Sequence, residues 1–264
     1  MRISVITIAY NSEATIRDTL KSIIQQDYND FEYIVIDGAS TDNTLSIINE
    51  YKDKIDKIIS EPDKGVSDAF NKGIAHATGD LIVIINSDDY MLPHALSDIA
   101  KEYRNNDEIL ATNLYLLDEK HNHQYLLKPS TTFPTVPLFR KPAHQGMYIP
   151  KKVYERIGGY DIKLRCPMDL DFLMRAYKAG IPIRHIDITT AVFRFGGLTS
   201  QSMVGKRKDY IRLIRSNGGN VFQAYFFWIF IVICEYIKRF LDFFSQNLFY
   251  NLRFKEEREQ SFSA

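Results

Sequence analysis

Cysteine is scarce in this 264-residue chain, and the two present, Cys166 and Cys234, stand far apart without metal-ligand spacing. Neither a disulfide framework nor a structural zinc site can organise the fold, and a reducing compartment is expected. Net charge is missing as well, since 33 basic residues balance 33 acidic ones. No bulk field therefore draws the chain to nucleic acid, and no nucleic-acid partner is expected. The apolar run from Ala224 to Cys234 has eleven residues, whereas a membrane-spanning helix needs about twenty. Met1-Arg2 leads straight into an apolar strand with no signal-peptide pattern, so a cytoplasmic location is expected. Internal repeats and low-complexity tracts are absent too.

What is present is a regular alternation of strand and helix. Ile3 to Tyr10 is apolar and β-branched, and Asn11-Ser12 can cap a following helix in which Ile16, Leu20, Ile23 and Ile24 recur at helical spacing. Phe31 to Asp37 reads as a second strand, followed by the polar turn Gly38 to Asp42 and a helix carrying Leu45, Ile47, Ile48 and Tyr51. Ile55 to Ser60 makes a third strand, Glu61 to Gly65 a loop, Val66 to Ala77 a helix and Leu81 to Ser87 a fourth strand. This pattern predicts an α/β fold with a mostly parallel sheet flanked by helices. After residue 105 the pattern changes. Ile109 to Leu117 and Gln124 to Lys128 suggest a hairpin. A loop with Pro129, Pro134, Pro137 and Pro142 follows, then a strand from His144 to Ile149. Helices are predicted over Pro150 to Ile157 and Met168 to Lys178, and a strand over Ile183 to Phe195.

The fourth strand ends abruptly in Ser87-Asp88-Asp89. Adjacent carboxylates repel each other unless a cation or a hydrogen-bond network offsets the charge, so a hard divalent metal is one explanation and a polar turn is the other. Tyr10-Asn11, Asp37 and Glu61 likewise follow strands, and in a parallel sheet all of these line one edge, where open α/β sheets bind ligands. Taken singly, Asn11 also reads as a helix cap, Asp37 as a turn residue and Glu61 as a solvated loop charge.

The tail differs in kind. Beyond the eleven-residue run, Glu235, Lys238, Arg239, Asp242, Ser245 and Gln246 recur at three- and four-residue steps, a polar stripe on an otherwise apolar helix. Residues 205–255 hold nine Lys or Arg and three Asp or Glu. An amphipathic appendage meeting anionic lipid is expected, and a helical hairpin packed on the body or a homodimer interface fits the same pattern.

The stretches Thr7-Ile8-Ala9-Tyr10-Asn11, Val35 to Thr44, Glu61 to Gly73 and Asn86-Ser87-Asp88-Asp89, in this order, resemble the family 2 glycosyltransferases of the GT-A fold, most closely the bacterial members that build O-antigen, capsule and related envelope polysaccharides. The resemblance implies a nucleotide-sugar-binding half over 1–105, an acceptor half over 106–204 and a helical appendage over 205–264. It implies that Ala9, Tyr10, Asn11 and Asp37 hold the base of a UDP-sugar. Ser87 and Asp88 would face the ribose or sugar, and Asp89 would bind Mn²⁺ or Mg²⁺ on the diphosphate. Glu61 and Asp68 would lie beside the nucleotide, although Asp68 also reads as a first-turn carboxylate favoured by the helix dipole. Asp169 stands where the family carries its base, with Met168 in place of a frequent acidic partner, so Asp171 remains the alternative base or a pocket residue, and it also reads as a capping or salt-bridging carboxylate. His144-Gln145 would line the sugar or acceptor pocket, and Arg194 to Ser202 would form a loop closing over the diphosphate. The implied reaction is inverting transfer to a polyprenyl-diphosphate-linked glycan at the inner face of the cytoplasmic membrane. A soluble or protein-bound acceptor, or a non-catalytic scaffold, is the alternative.

Overall fold

The structure, a computed structural model, describes residues 1–104, 107–119, 123–129, 142–165, 167–194 and 207–244. The first half runs β1 (Ile3–Ala9), α1 (Ile16–Ile24), β2 (Phe31–Asp37), α2 (Thr44–Asn49), β3 (Lys57–Ser60), α3 (Val66–His76) and β4 (Leu81–Asn86). Next come β5 (Tyr90–Met91), α4 (Ala95–Glu102), β6 (Ile109–Asp118), β7 (His123–Leu127), β8 (Met147–Pro150), α5 (Lys151–Ile157), α6 (Met168–Lys178) and β9 (Ile183–Arg194). Helices α7 (Arg207–Ser216) and α8 (Val221–Phe244) follow.

Among the described residues the strands form one sheet in the order β3-β2-β1-β4-β8-β6-β9-β5, with β7 paired to β6. The pairs β1/β2, β1/β4 and β2/β3 are parallel, as the alternating pattern predicts. Beyond β4 the sheet becomes mixed: β8 runs antiparallel to β4 and β6, while β6 and β9 are parallel. Side chains alternate across the inner strands, and both faces are apolar because both are covered. Val5, Val35, Val83 and Ile85 face Leu20 and Ile23 of α1 and Leu96 and Ile99 of α4. Ile6, Ile34, Ile36 and Ile84 face Phe70 of α3 and Leu170 and Phe172 of α6. The result is a three-layer sandwich.

Several sequence expectations change. Asn11 and Ser12 do not cap α1 with their side chains: its N-cap is Thr15, and Asn11 takes a left-handed conformation (φ 49°). Strand β8 starts three residues later than expected, because His144–Gly146 form a 3-10 turn. Strand β5 and helix α4 are additional elements. The loop positions Pro134 and Pro137, the segment 195–202 and Cys166 lie outside the described residues, as do the side chains of Glu235, Lys238, Arg239 and Asp242.

Candidate active site

Strand order reverses beside β1. From there the chain moves outward through β2 to β3, then crosses back to place β4 on the other side. The helices on the two excursions cover opposite faces, α1 on one and α3 on the other, so a crevice opens at the carboxyl ends of β1 and β4. The first-turn residues meet there. The Gly38 N–H donates to the Ala9 carbonyl at 2.8 Å, and the Ser87 N–H to the Ile8 carbonyl at 3.1 Å. The Ser12 and Ser87 hydroxyls share a hydrogen bond of 2.7 Å. Asn11 Oδ1 accepts the Thr41 N–H at 2.8 Å, tying the turn after β1 to the turn after β2. The Tyr10 ring is 61% exposed and stands beside Gly38, leaving an aromatic face on the rim.

Asp88 and Asp89 have different surroundings. Asp89 is fully buried. Its Oδ2 accepts the Gln145 amide at 2.7 Å and its Oδ1 the Arg194 backbone N–H at 3.0 Å, and its own carbonyl accepts the Thr19 hydroxyl at 2.6 Å. Burial, and then the neighbouring Asp88 charge, push its carboxyl up to about 7. Asp88 is only partly buried, and desolvation raises its carboxyl as well. Asp89 thus has one protein donor on each carboxylate oxygen and no exposed surface, whereas its neighbour Asp88 keeps part of its surface exposed. Among the described residues no group of three or more His, Cys, Asp or Glu could hold a metal by itself. An adjacent carboxylate pair fits a cation shared with a ligand's oxygens, and fits a protein-only cage poorly.

The second carboxylate arrives from α6. Asp169, in its first turn and 9% exposed, brings Oδ2 to 3.3 Å from His144 Nδ1. The imidazole is held edge-on against Phe70 at 5.0 Å between centroids, and Phe70 in turn meets Tyr160 at 5.2 Å. Two consecutive residues thus link the two acidic centres: His144 touches Asp169, and Gln145 touches Asp89. Nε2 of His144, Oε1 of Gln145 and Oδ1 of Asn86 are buried without a hydrogen-bond partner among the described residues. Such orphaned groups mark a rim shaped for something polar.

Asp171 takes the salt-bridging role: it is 3% exposed, pairs with Arg175 at 2.8 Å and accepts the Asn217 side-chain amide at 2.8 Å. Glu61 and Asp68 meet a lysine. Lys72 Nζ lies 2.8 Å from Glu61 and 3.9 Å from Asp68, and Asp68 accepts the Lys64 N–H at 2.9 Å. Together they close the loop before α3, whose N-cap Gly65 (φ 114°) needs a residue without a side chain. Asp37 is fully buried. Its oxygens accept the Ser40 hydroxyl at 2.5 Å and the Ser60 hydroxyl at 2.6 Å, which ties the turn after β2 to the end of β3.

Sequence reasoning missed the grip of Arg194 on this turn. Its guanidinium donates to the Asp88 carbonyl at 3.2 Å, pairs with Glu119 and Asp18 and lies over the Tyr90 ring at 5.2 Å. The only available signal was an arginine ending a strand.

Residues 4–158 match the family described as Glycosyl transferase family 2, which is more than half of the chain. EpsE of Bacillus subtilis (strain 168), which bears a glycosyltransferase name, is 28% identical over 232 residues, 84% of this chain and 81% of its own. A PGL/p-HBAD biosynthesis glycosyltransferase of Mycobacterium bovis (strain BCG / Pasteur 1173P2) is 28% identical over 210 residues, 75% of this chain and 78% of its own. Among solved structures, S. aureus TarS 1-349 in complex with UDP-GlcNAc aligns with a TM-score of 0.66 at 21% identity, over 92% of this chain and 73% of that one. The mannosyltransferase PcManGT from Pyrobaculum calidifontis in complex with GDP-Man and Mn²⁺ aligns with a TM-score of 0.62 at 16% identity, over 86% of this chain and 69% of that one. The chain spans 39% of the longer TarS chain, and at these identities the structural likeness is one of fold. With residues 4–158 matching the family and its fold shared with glycosyltransferases, the chain belongs to glycosyl transferase family 2 and is a glycosyltransferase of the GT-A fold.

Proposed function

We propose that the enzyme moves a hexose or N-acetylhexosamine from a UDP-sugar, with inversion at the anomeric carbon, to a lipid-linked glycan during bacterial surface polysaccharide synthesis. The observation that carries this reading is the His144-Gln145 link between the crevice at Asp88-Asp89 and the carboxylate of Asp169. The donor would lie with its base near Tyr10, Asn11 and Asp37 and its diphosphate near Ser87 and Asp88. Inversion needs one base on the face opposite the leaving group. Asp169 takes that role: it accepts the proton of the acceptor hydroxyl, while His144, donating from Nδ1 to Oδ2, holds the carboxylate in place. The Asp88-Asp89 pair would hold Mn²⁺ or Mg²⁺, with Asp89 as the expected ligand, and the cation when bound supplies positive charge to the departing diphosphate. The choice of UDP draws support from the TarS complex with UDP-GlcNAc, and the GDP-Man complex of PcManGT makes GDP the proper comparison.

The test is calorimetric titration of UDP, GDP and CDP with and without Mn²⁺, followed by transfer assays on Asp169→Asn. UDP alone should bind with the cation present. The variant should keep that binding and lose transfer by about 10²- to 10⁴-fold, the usual contribution of a general base. Unchanged transfer would remove Asp169 from the role.

A further inference from the structure

Helix α8 carries apolar side chains on two opposite sides. Ala224 and Ile231 are buried, and Phe227 and Trp228 pack toward the core cluster that contains Tyr210 and Leu213 of α7. On the other side Phe222, Phe226, Ile229, Ile233 and Tyr236 follow one another at alternating four- and three-residue steps, each between 48% and 87% exposed. That spacing puts them on one stripe. A helix apolar all round is normally covered, and nothing in the described chain covers this side. No described helix is long and apolar enough to cross a membrane, so the stripe is suited to lying along a surface rather than piercing one.

Helix α7 adds charge beside the stripe. It contains Arg207, Lys208, Arg212 and Arg215 against Asp209 alone. Lys208, Arg212 and Arg215 recur at four and three residues, and with Tyr225 of α8 they line a shallow groove. Arg212 is partly answered by Asp161 at 3.0 Å, and Arg207 rests over the Trp228 ring at 5.8 Å. Lys208 and Arg215 are exposed and have no acidic partner among the described residues.

We infer that α7 and α8 form a docking surface for an anionic phospholipid bilayer, with the stripe entering the headgroup and acyl boundary and the groove cations meeting lipid phosphates. A lipid surface answers both halves of the pattern at once. A second copy of the chain answers only one, because a two-fold contact centred on the stripe would bring the groove cations of both copies together. The surface is fastened to the helix that bears Asp169: Asn217 at the end of α7 donates to Asp171, and Lys178 donates to Asn217. Docking therefore fixes the height of the base above the lipid. The inference deepens the lipid-linked acceptor reading, yet vesicle binding is measured without turnover.

The experiment is co-sedimentation of the full chain with vesicles of phosphatidylcholine alone or mixed with phosphatidylglycerol, at low and high salt. The protein should bind the anionic vesicles, less so in high salt. The double substitution Lys208→Gln, Arg215→Gln, at exposed positions outside the active site, should weaken that binding by about thirtyfold while leaving UDP binding and the melting temperature unchanged. Phe226→Ser with Ile233→Ser should abolish it at any salt. Absence of binding to anionic vesicles, or binding indifferent to the two charge substitutions, overturns the inference. So does a stable dimer in light scattering that falls apart on the Phe226 and Ile233 substitutions. If UDP fails to bind while vesicles still do, the donor reading falls and the docking surface stands.

Discussion

Asp89→Asn isolates the electrostatic cost of the buried carboxylate. The carboxyl titrates near 7 in the folded protein against a reference of 3.8, so the folded state holds its proton more tightly than the unfolded chain does. Between these values the folded state binds more protons, and stability must fall as pH rises. At 1.36 kcal/mol per pH unit the full span is about 4 kcal/mol, gained below pH 4 and lost above pH 7. Asparagine has no charge to desolvate. Its Oδ1 keeps the Arg194 N–H, and Gln145, whose Oε1 has no partner among the described residues, can turn its amide to accept the new Nδ2–H. The variant should therefore gain on the parent by about 4 kcal/mol between pH 4 and pH 8 in urea unfolding with chelator present. Added Mn²⁺ should narrow the gap, because a cation at the Asp88-Asp89 pair offsets the charge that raises Asp89. A stability difference that stays flat with pH would refute the reasoning.

Asp171→Ala leaves the partly buried Arg175 with the carbonyls of Ile157, Gly158 and Gly159 to answer it and strips Asn217 of its acceptor, so unfolding free energy should drop by about 1–3 kcal/mol. Transfer per folded molecule should persist, in contrast to Asp169→Asn, and thermal denaturation with activity assays separates the two. Gly159→Ala drives a methyl group into Asn71, which clasps Tyr160 through its N–H and carbonyl, each at 2.8 Å. The loss should be about 1–3 kcal/mol, read as a lower urea midpoint, and Gly158→Ala with Gly159 intact should show only the strain of its φ of 78°.

The first half of the fold was legible because β1, β2 and β4 are apolar runs buried on both sides, and each turn after a strand is polar. The second half was less so. Strand β5 has two residues, and it exists because Tyr90 and Met91 pair with Val192 and Ala191 about a hundred residues away, a contact no local pattern announces. At the site, the acidic pair after β4 was visible, but which member faces outward depends on Gln145 and Arg194 closing over Asp89. Asp169 and Asp171 pose the same problem. Two residues apart on a helix, they point about 200° from each other, and only the packing of α6 decides that Asp169 meets His144 while Asp171 meets Arg175 and Asn217. Glu61 and Asp68 stood out by position, but that Lys72 of α3 lies 2.8 Å from one and 3.9 Å from the other depends on how the loop before α3 folds back.

The way β8 seals the sheet has a consequence for synthesis. The outer edge of β4 is paired through only two positions, Leu81 with Pro150 and Ile82 with Ile149, and both partners are made long after β4 itself. At ordinary elongation rates, a strand with the sequence Leu-Ile-Val-Ile-Ile-Asn waits roughly 3–13 seconds on the ribosome with an open edge. The nascent first half thus exposes an apolar strand edge that the finished chain covers in part, and that cover forms only once residue 150 has left the exit tunnel.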